Sequence, residues 1–159
     1  MVFLNATRTQ ARGAANKKQM VKTKTLEKQI KISSDVRFIQ DVRQTVLSAM
    51  NEFEFDDDSK MSVAVALDEC LSNAINHGNG SKTELLVNIK FRISPEKIEI
   101  VIRDQGCGFD WKKNQRLSGT ADFTGYEVNG RGLFMIQNIM SSIKFNGAGN
   151  EVTITKNRR

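Results

Sequence analysis

The sequence predicts an α+β fold, a two-layer α/β sandwich in which a mixed, mainly antiparallel sheet carries helices on one face. Two observations lead there. Segments of alternating polarity come in pairs joined by short turns, the mark of antiparallel neighbours. The element order is β-α-α-β-β-(loop)-α-β-β, not the regular strand–helix alternation of a parallel sheet.

The elements follow in order. TLEKQIKI (25–32) alternates as a strand does. SSDVRFIQDVRQTVLSAM (33–50) opens with serine and aspartate caps, and its Val36, Ile39, Val42, Val46 and Met50 recur at helical spacing. EFEFDDDSK (52–60) is an acidic connector whose aspartates precede a helix, where negative charge is favourable. That helix runs from about Ser59 to His77, with Met61, Ala64, Val65, Leu71, Ala74 and Ile75 as its apolar stripe. Glu69, Asn73 and Asn76 stand at i, i+4 and i+7 and share another face; Gly78 and Gly80 end the helix. TELLVNIKFRI (83–93) and KIEIVIRD (97–104) form a strand pair around Ser94-Pro95-Glu96. DQGCGFDW (104–111) is a tight glycine turn, and residues 112–129 are polar and without a clear period. GRGLFMIQNIMSSI (130–143) reads as a glycine turn followed by a helix. Two short strands near 143–145 and 151–156, around NGAGN, close the chain.

The 159 residues fit one domain, with net charge +6. Residues 1–24 hold Arg8, Arg12, Lys17, Lys18, Lys22, Lys24 and no acid, so all the excess charge lies there. The remaining 18 basic residues balance all 18 acids. Residues 1–24 therefore read as a disordered basic tail, with Met20 as the alternative natural start, and residues 25–159 as the folded domain. No apolar run is long enough to span a membrane, and no signal peptide is visible. Cys70 and Cys107 have no metal-ligand spacing and suggest a reducing cytoplasm.

Three segments carry chemistry. The helical face pairs a carboxylate, Glu69, with an amide, Asn73, one turn apart. A carboxylate so placed can position or deprotonate an attacking hydroxyl. One asparagine oxygen beside a triphosphate is a plausible set for Mg2+, which takes oxygen ligands and leans on substrate phosphates. Asp104, at a strand end beside Gly106 and Gly108, can accept a hydrogen bond from the exocyclic amine of adenine; guanine presents a carbonyl there. The bland alternative is a turn in which Asp104 bonds its own backbone. Gly130-Arg131-Gly132-Leu133 opens a helix whose amides can face a phosphate. For Asn76 and His77 an exposed helical face is at least as good a reading as a nucleotide contact. No Walker A loop and no Rossmann fingerprint occurs.

E-x-x-x-N, D-x-G-x-G and G-x-G-L, in that order over residues 69–133, resemble the N, G1 and G2 boxes of the GHKL ATPase superfamily. The whole stretch from about 25 to 156 resembles its small anti-sigma factor serine kinases, notably in LDECLSNAINHG, GRGLFMIQNIM and GNEVTITK. The resemblance implies the Bergerat fold, ATP and Mg2+ as cofactors, and a cytoplasmic protein that pairs as a homodimer. It implies Glu69 as catalytic base, Asn73 as Mg2+ ligand and Asp104 as adenine reader. Gly106 and Gly108 would shape the turn, Gly130, Arg131, Gly132 and Leu133 would line the phosphates, and residues 112–129 would be the ATP lid. The implied activity is phosphorylation of a serine on an anti-anti-sigma (STAS-type) protein, with a sigma factor as second partner and no direct contact with DNA or membrane. The alternative is a regulatory binding module of the same fold without kinase activity. A histidine kinase is disfavoured, because His77, inside the N box, is the only histidine.

Overall fold

The computed structural model describes residues 3–5, 24–109 and 128–158. Its strands are β1 (Phe3–Asn5), β2 (Leu26–Ser33), β3 (Leu86–Ile93), β4 (Lys97–Arg103), β5 (Ser142–Phe145) and β6 (Glu151–Asn157). They form one sheet in the order β1-β2-β3-β4-β6-β5. Every pairing among these strands is antiparallel, so the mixed character expected from the sequence is absent from the described sheet. Burial alternates along β3, β4 and β6, because successive side chains in a strand point to opposite faces. The register aligns the buried set into rows. Ile30 faces Ile89, Ile89 faces Ile102, and Ile102 faces Val152; Phe91 faces Ile100, which faces Ile154.

The helices cover that apolar face. Helix α1 (Ile39–Glu52) buries Val42, Val46, Ala49 and Met50. Helix α2 (Asp57–Asn73) buries Val63, Ala66, Leu67, Cys70 and Leu71, and packs against α1, β6 and α3 (Val128–Ile139). Asp56 caps α2, accepting from Ser59 N at 2.8 Å and Ser59 Oγ at 2.7 Å. Asp35 caps a single 3-10 turn (Val36–Phe38) that leads into α1, so the α-helix proper starts later than the cap residues alone suggest. Layered helices on one antiparallel sheet are the α+β sandwich that the sequence predicts.

Three local differences have physical causes. Residues 3–5 pair with the β2 edge, Leu4 opposite Ile30, although the sequence reading left all of 1–24 unstructured. Net charge dominates that segment, and an unpaired edge offers backbone partners to even three residues. The glycines of 130–133 lie within the first turns of α3, which begins at Val128, two residues inside the expected lid. The rest of that lid, 112–127, and Trp111 lie outside the described residues. Finally, α2 continues as a π-helical turn (Ala74–Gly78) closed by Asn79 N donating to Ala74 O at 2.8 Å. Such turns are rare and concentrate at functional sites.

Among the described residues, a chain beginning at Met20 loses the three β1 pairs. It is expected to melt within about 4 °C of the full chain, the shift that roughly 1 kcal/mol gives a domain of this size. A larger drop in a calorimetric scan would mean that the first residues pack as well as pair.

Candidate functional site

Four chain segments meet at one end of the sheet: the end of α2 with its π-turn, the β4 exit at Asp104–Gly108, the β5–β6 hairpin, and the start of α3. Each functional side chain is placed by a backbone feature of its own segment.

Asp104 follows β4 directly. Its N–H donates to Asn150 O at 3.0 Å, which ties the turn to the β5–β6 hairpin. Its Oδ1 accepts from Gly106 N at 2.8 Å, so the self-bonded turn weighed as the bland alternative does form. That bond uses one oxygen. No hydrogen bond from another described residue reaches Oδ2. Gly78 faces this carboxylate: a methyl there would lie 2.6 Å from Oδ2 and 2.7 Å from Oδ1, well inside van der Waals contact. The glycine read as a helix stop is thus the space that the carboxylate occupies. Gly106 is equally close to the Gly78 backbone, and Gly108, at φ +76°, backs onto the Ala148 carbonyl of the hairpin.

Partial burial raises the Asp104 pKa from its ordinary value, and the Gly106 N–H opposes the rise without cancelling it. The sign for stability follows. A carboxyl with a raised folded pKa gives its full contribution below the unfolded value and loses it as pH rises through the folded pKa. Above the ordinary carboxylate range the raised pKa of Asp104 therefore costs the fold stability. Asp104→Asn keeps the bond from Gly106 and removes the charge, so its melting temperature at pH 7 is expected to equal or exceed that of wild type. The gain should fade as pH falls below the ordinary carboxylate range. A lower melting temperature at pH 7 would show that the charge is compensated.

One turn before the C-terminal end of α2, Glu69 is half-buried and its carboxylate rests on Gly132 of α3. A methyl at Gly132 would lie 2.5 Å from Glu69 Cδ. The N-box and G2-box segments are therefore in contact through an acid and a glycine 63 positions apart, Glu69 and Gly132. Asn73, one turn on, is exposed. Behind them Cys70 is buried; desolvation, aided by the Glu69 charge, pushes its thiol up to about 12, which leaves it neutral and unreactive.

Asn76 does not join the pair. Its amide donates to Ser72 Oγ at 3.1 Å and accepts from Ser81 Oγ at 3.1 Å. The i, i+4, i+7 stripe assumed a regular α-helix, and the π-turn breaks that period after Asn73. His77 is exposed, and Leu133 is half-buried on α3. The backbone of Gly130 and Arg131 is helical, while their side-chain surroundings lie outside the described residues. Among the described residues no group of three His, Cys, Asp or Glu side chains is placed to hold a metal, so a cation here would lean on its ligand's oxygens.

One residue was missed by sequence reasoning. Asn79 is 2% exposed and bonds three segments at once. It donates to Ser34 Oγ at 2.8 Å and Leu86 O at 3.1 Å, and accepts from Gln105 N at 2.7 Å. The one available signal was an asparagine immediately after the helix-ending glycine.

Comparisons with known proteins agree with the fold. A family profile described as histidine kinase-like ATPase domain matches residues 32–156. A protein named serine-protein kinase RsbW from Oceanobacillus iheyensis is 29% identical over 122 residues, 74% of this chain and 77% of that one. Proteins of the same name from Bacillus velezensis and Staphylococcus aureus are 24% and 25% identical over 80% of this chain and 83% and 84% of theirs. A crystal structure of the RsbU and RsbW domains of a Mycobacterium tuberculosis protein superposes with a TM-score of 0.57 at 16% identity. It covers 84% of this chain, which spans about a third (32%) of that solved chain.

Proposed function

The chain belongs to the histidine kinase-like ATPase family, and from that premise we propose that it is an ATP-dependent serine kinase that binds a sigma factor and phosphorylates an anti-anti-sigma protein of the STAS type. The observation that carries the proposal is the placing of two acids at opposite ends of one glycine-lined site. Asp104 faces Gly78, and Glu69 faces Gly132. Neither acid meets a cation among the described residues, and each has a side-chain-free backbone against it. An ATP-sized ligand would set its amine at the Asp104 end and its phosphates at the first turn of α3, beside Glu69.

The residues suit the cofactors. Asp104 Oδ2 would accept the adenine amine, with Gly78 and Gly106 leaving room for the contact. The first turn of α3 would turn its amides toward the phosphates. Asn73 would give Mg2+ an amide oxygen. ATP when bound supplies the phosphoryl group. Glu69 would orient the acceptor serine and take its hydroxyl proton, as a carboxylate within hydrogen-bond reach does. The relatives' shared name supports a serine acceptor, and it is the ground for the two protein partners. A homodimer belongs to the same proposal. No helix among the described residues is long and apolar enough to cross a membrane.

Adenine selectivity tests the base end. Titration should favour ATP over GTP by about tenfold to hundredfold, the scale of a buried polar group left unpaired. Asp104→Ala should lose that preference while remaining folded. Equal wild-type affinities for ATP and GTP would remove the assignment.

A further inference from the structure

The turn that carries Asp104 is fixed by three successive backbone N–H groups. Asp104 N goes to Asn150 O, Gly106 N goes to the Asp104 carboxylate itself, and between them Gln105 N goes to Asn79 Oδ1 at 2.7 Å. Two of these anchors come from the turn or from the hairpin beside it. The third comes from the helix that bears Glu69 and Asn73, because Asn79 immediately follows the π-turn. Its own N–H closes that turn on Ala74 O. Both Nδ2 protons are used, on Ser34 Oγ at the end of β2 and Leu86 O at the start of β3. Gln105 reciprocates by accepting from Leu86 N at 2.6 Å. The amide thus has a fixed orientation: its nitrogen is committed to two acceptors, and only its oxygen can meet Gln105.

We propose that Asn79 is a positioning residue for base recognition, which holds the Asp104 turn in register with α2 through Gln105. The inference rests on the nucleotide-site reading above and adds to it a specificity determinant that touches no nucleotide. The bond works through geometry. Gln105 is the next residue after Asp104, so a free Gln105 N–H lets the peptide between them rotate. Rotation turns the carboxylate away from the gap that Gly78 leaves. A misaimed acceptor no longer distinguishes an amine from a carbonyl, and the base end loses its register with the Glu69 end.

Ser34 provides the control. It bonds the same amide from the opposite side and also donates to Leu85 O at 2.9 Å, yet among the described residues it makes no hydrogen bond to the turn. Ser34→Ala therefore removes part of the buried network and leaves the Gln105 bond in place.

The experiment measures ATP and GTP affinities by titration calorimetry, beside melting temperature, for wild type, Asn79→Ala, Asn79→Asp and Ser34→Ala. Asn79→Ala should weaken ATP by about tenfold or more, on the scale of one lost buried hydrogen bond, and should bring the ATP:GTP ratio toward one. Asn79→Asp keeps an acceptor for Gln105 N. It should lower the melting temperature and retain more of the ratio than Asn79→Ala. Ser34→Ala should lower the melting temperature with the ratio unchanged. If Asn79→Ala does not fold, Asn79→Ser, too short to reach Gln105, takes its place with the same expectation. A wild-type ratio in the folded Asn79 variant, or an equal loss of ratio in Ser34→Ala, overturns the proposal and leaves Asn79 a structural residue. Failure of the wild type to bind ATP overturns the nucleotide-site reading itself, and the proposal with it.

Discussion

Glu69→Ala is expected to bind ATP nearly as wild type does and to transfer phosphate about 10²-fold or more slowly, the usual scale for a lost general base. The reason lies in where the side chain ends. Its carboxylate rests on Gly132, in the first turns of α3, a different segment from the Asp104 turn proposed to read the base. Removing it deletes no adenine contact and exposes no buried charge partner, since none faces it among the described residues. Partner binding should survive for the same reason. Asn73→Ala should behave differently, because the amide is assigned to the metal. It should weaken ATP binding in the presence of Mg2+ and have much less effect in EDTA. Radiolabel transfer measured beside a nucleotide titration separates the two roles. A Glu69→Ala protein that phosphorylates at the wild-type rate would place the base elsewhere.

Gly78→Ala is expected to cost about as much ATP affinity as Asp104→Ala, some tenfold to a hundredfold. Alanine is the better helix former, so helix propensity alone would favour the change. The added methyl, however, would sit 2.6 Å from Asp104 Oδ2, and the carboxylate cannot yield without breaking its 2.8 Å bond from Gly106 N. The two substitutions should therefore be strongly non-additive. In the Asp104→Ala background the methyl meets no carboxylate, and Gly78→Ala should add little. Additive losses in the double variant would mean that Gly78 acts through something other than Asp104.

Much of the site was legible because it is written in local spacing. The interval from Glu69 to Asn73 is one helical turn, and a carboxylate followed by glycines after a strand can only be a turn bearing an acid at a sheet end. The alternation in β3, β4 and β6 likewise pointed to a mainly antiparallel sheet with one apolar face. What spacing does not encode stayed hidden. The π-turn leaves no mark in residue spacing, so Asn76 was placed on a stripe that the real backbone does not continue. Gly78 looked like punctuation, because its partner, Asp104, is distant in sequence. Asn79 was passed over entirely: its amide is satisfied by residues 45, 7 and 26 positions away, and a buried network of that kind exists only once the fold brings it together. The β1 pairing was missed for a related reason, since a three-residue strand has meaning only beside the edge it covers.

The proposed activity makes one demand that binding alone cannot meet. The measurement is transfer of label from γ-labelled ATP, with Mg2+, to the anti-anti-sigma protein of the same organism, with its acceptor serine replaced by alanine as the blank. The expected result is a labelled serine in the presence of the wild-type chain, at least about 10²-fold less with Glu69→Ala, and none with the blank. A wild-type chain that binds both ATP and the partner yet leaves every serine unlabelled would contradict the kinase and leave a nucleotide-dependent binding module in its place.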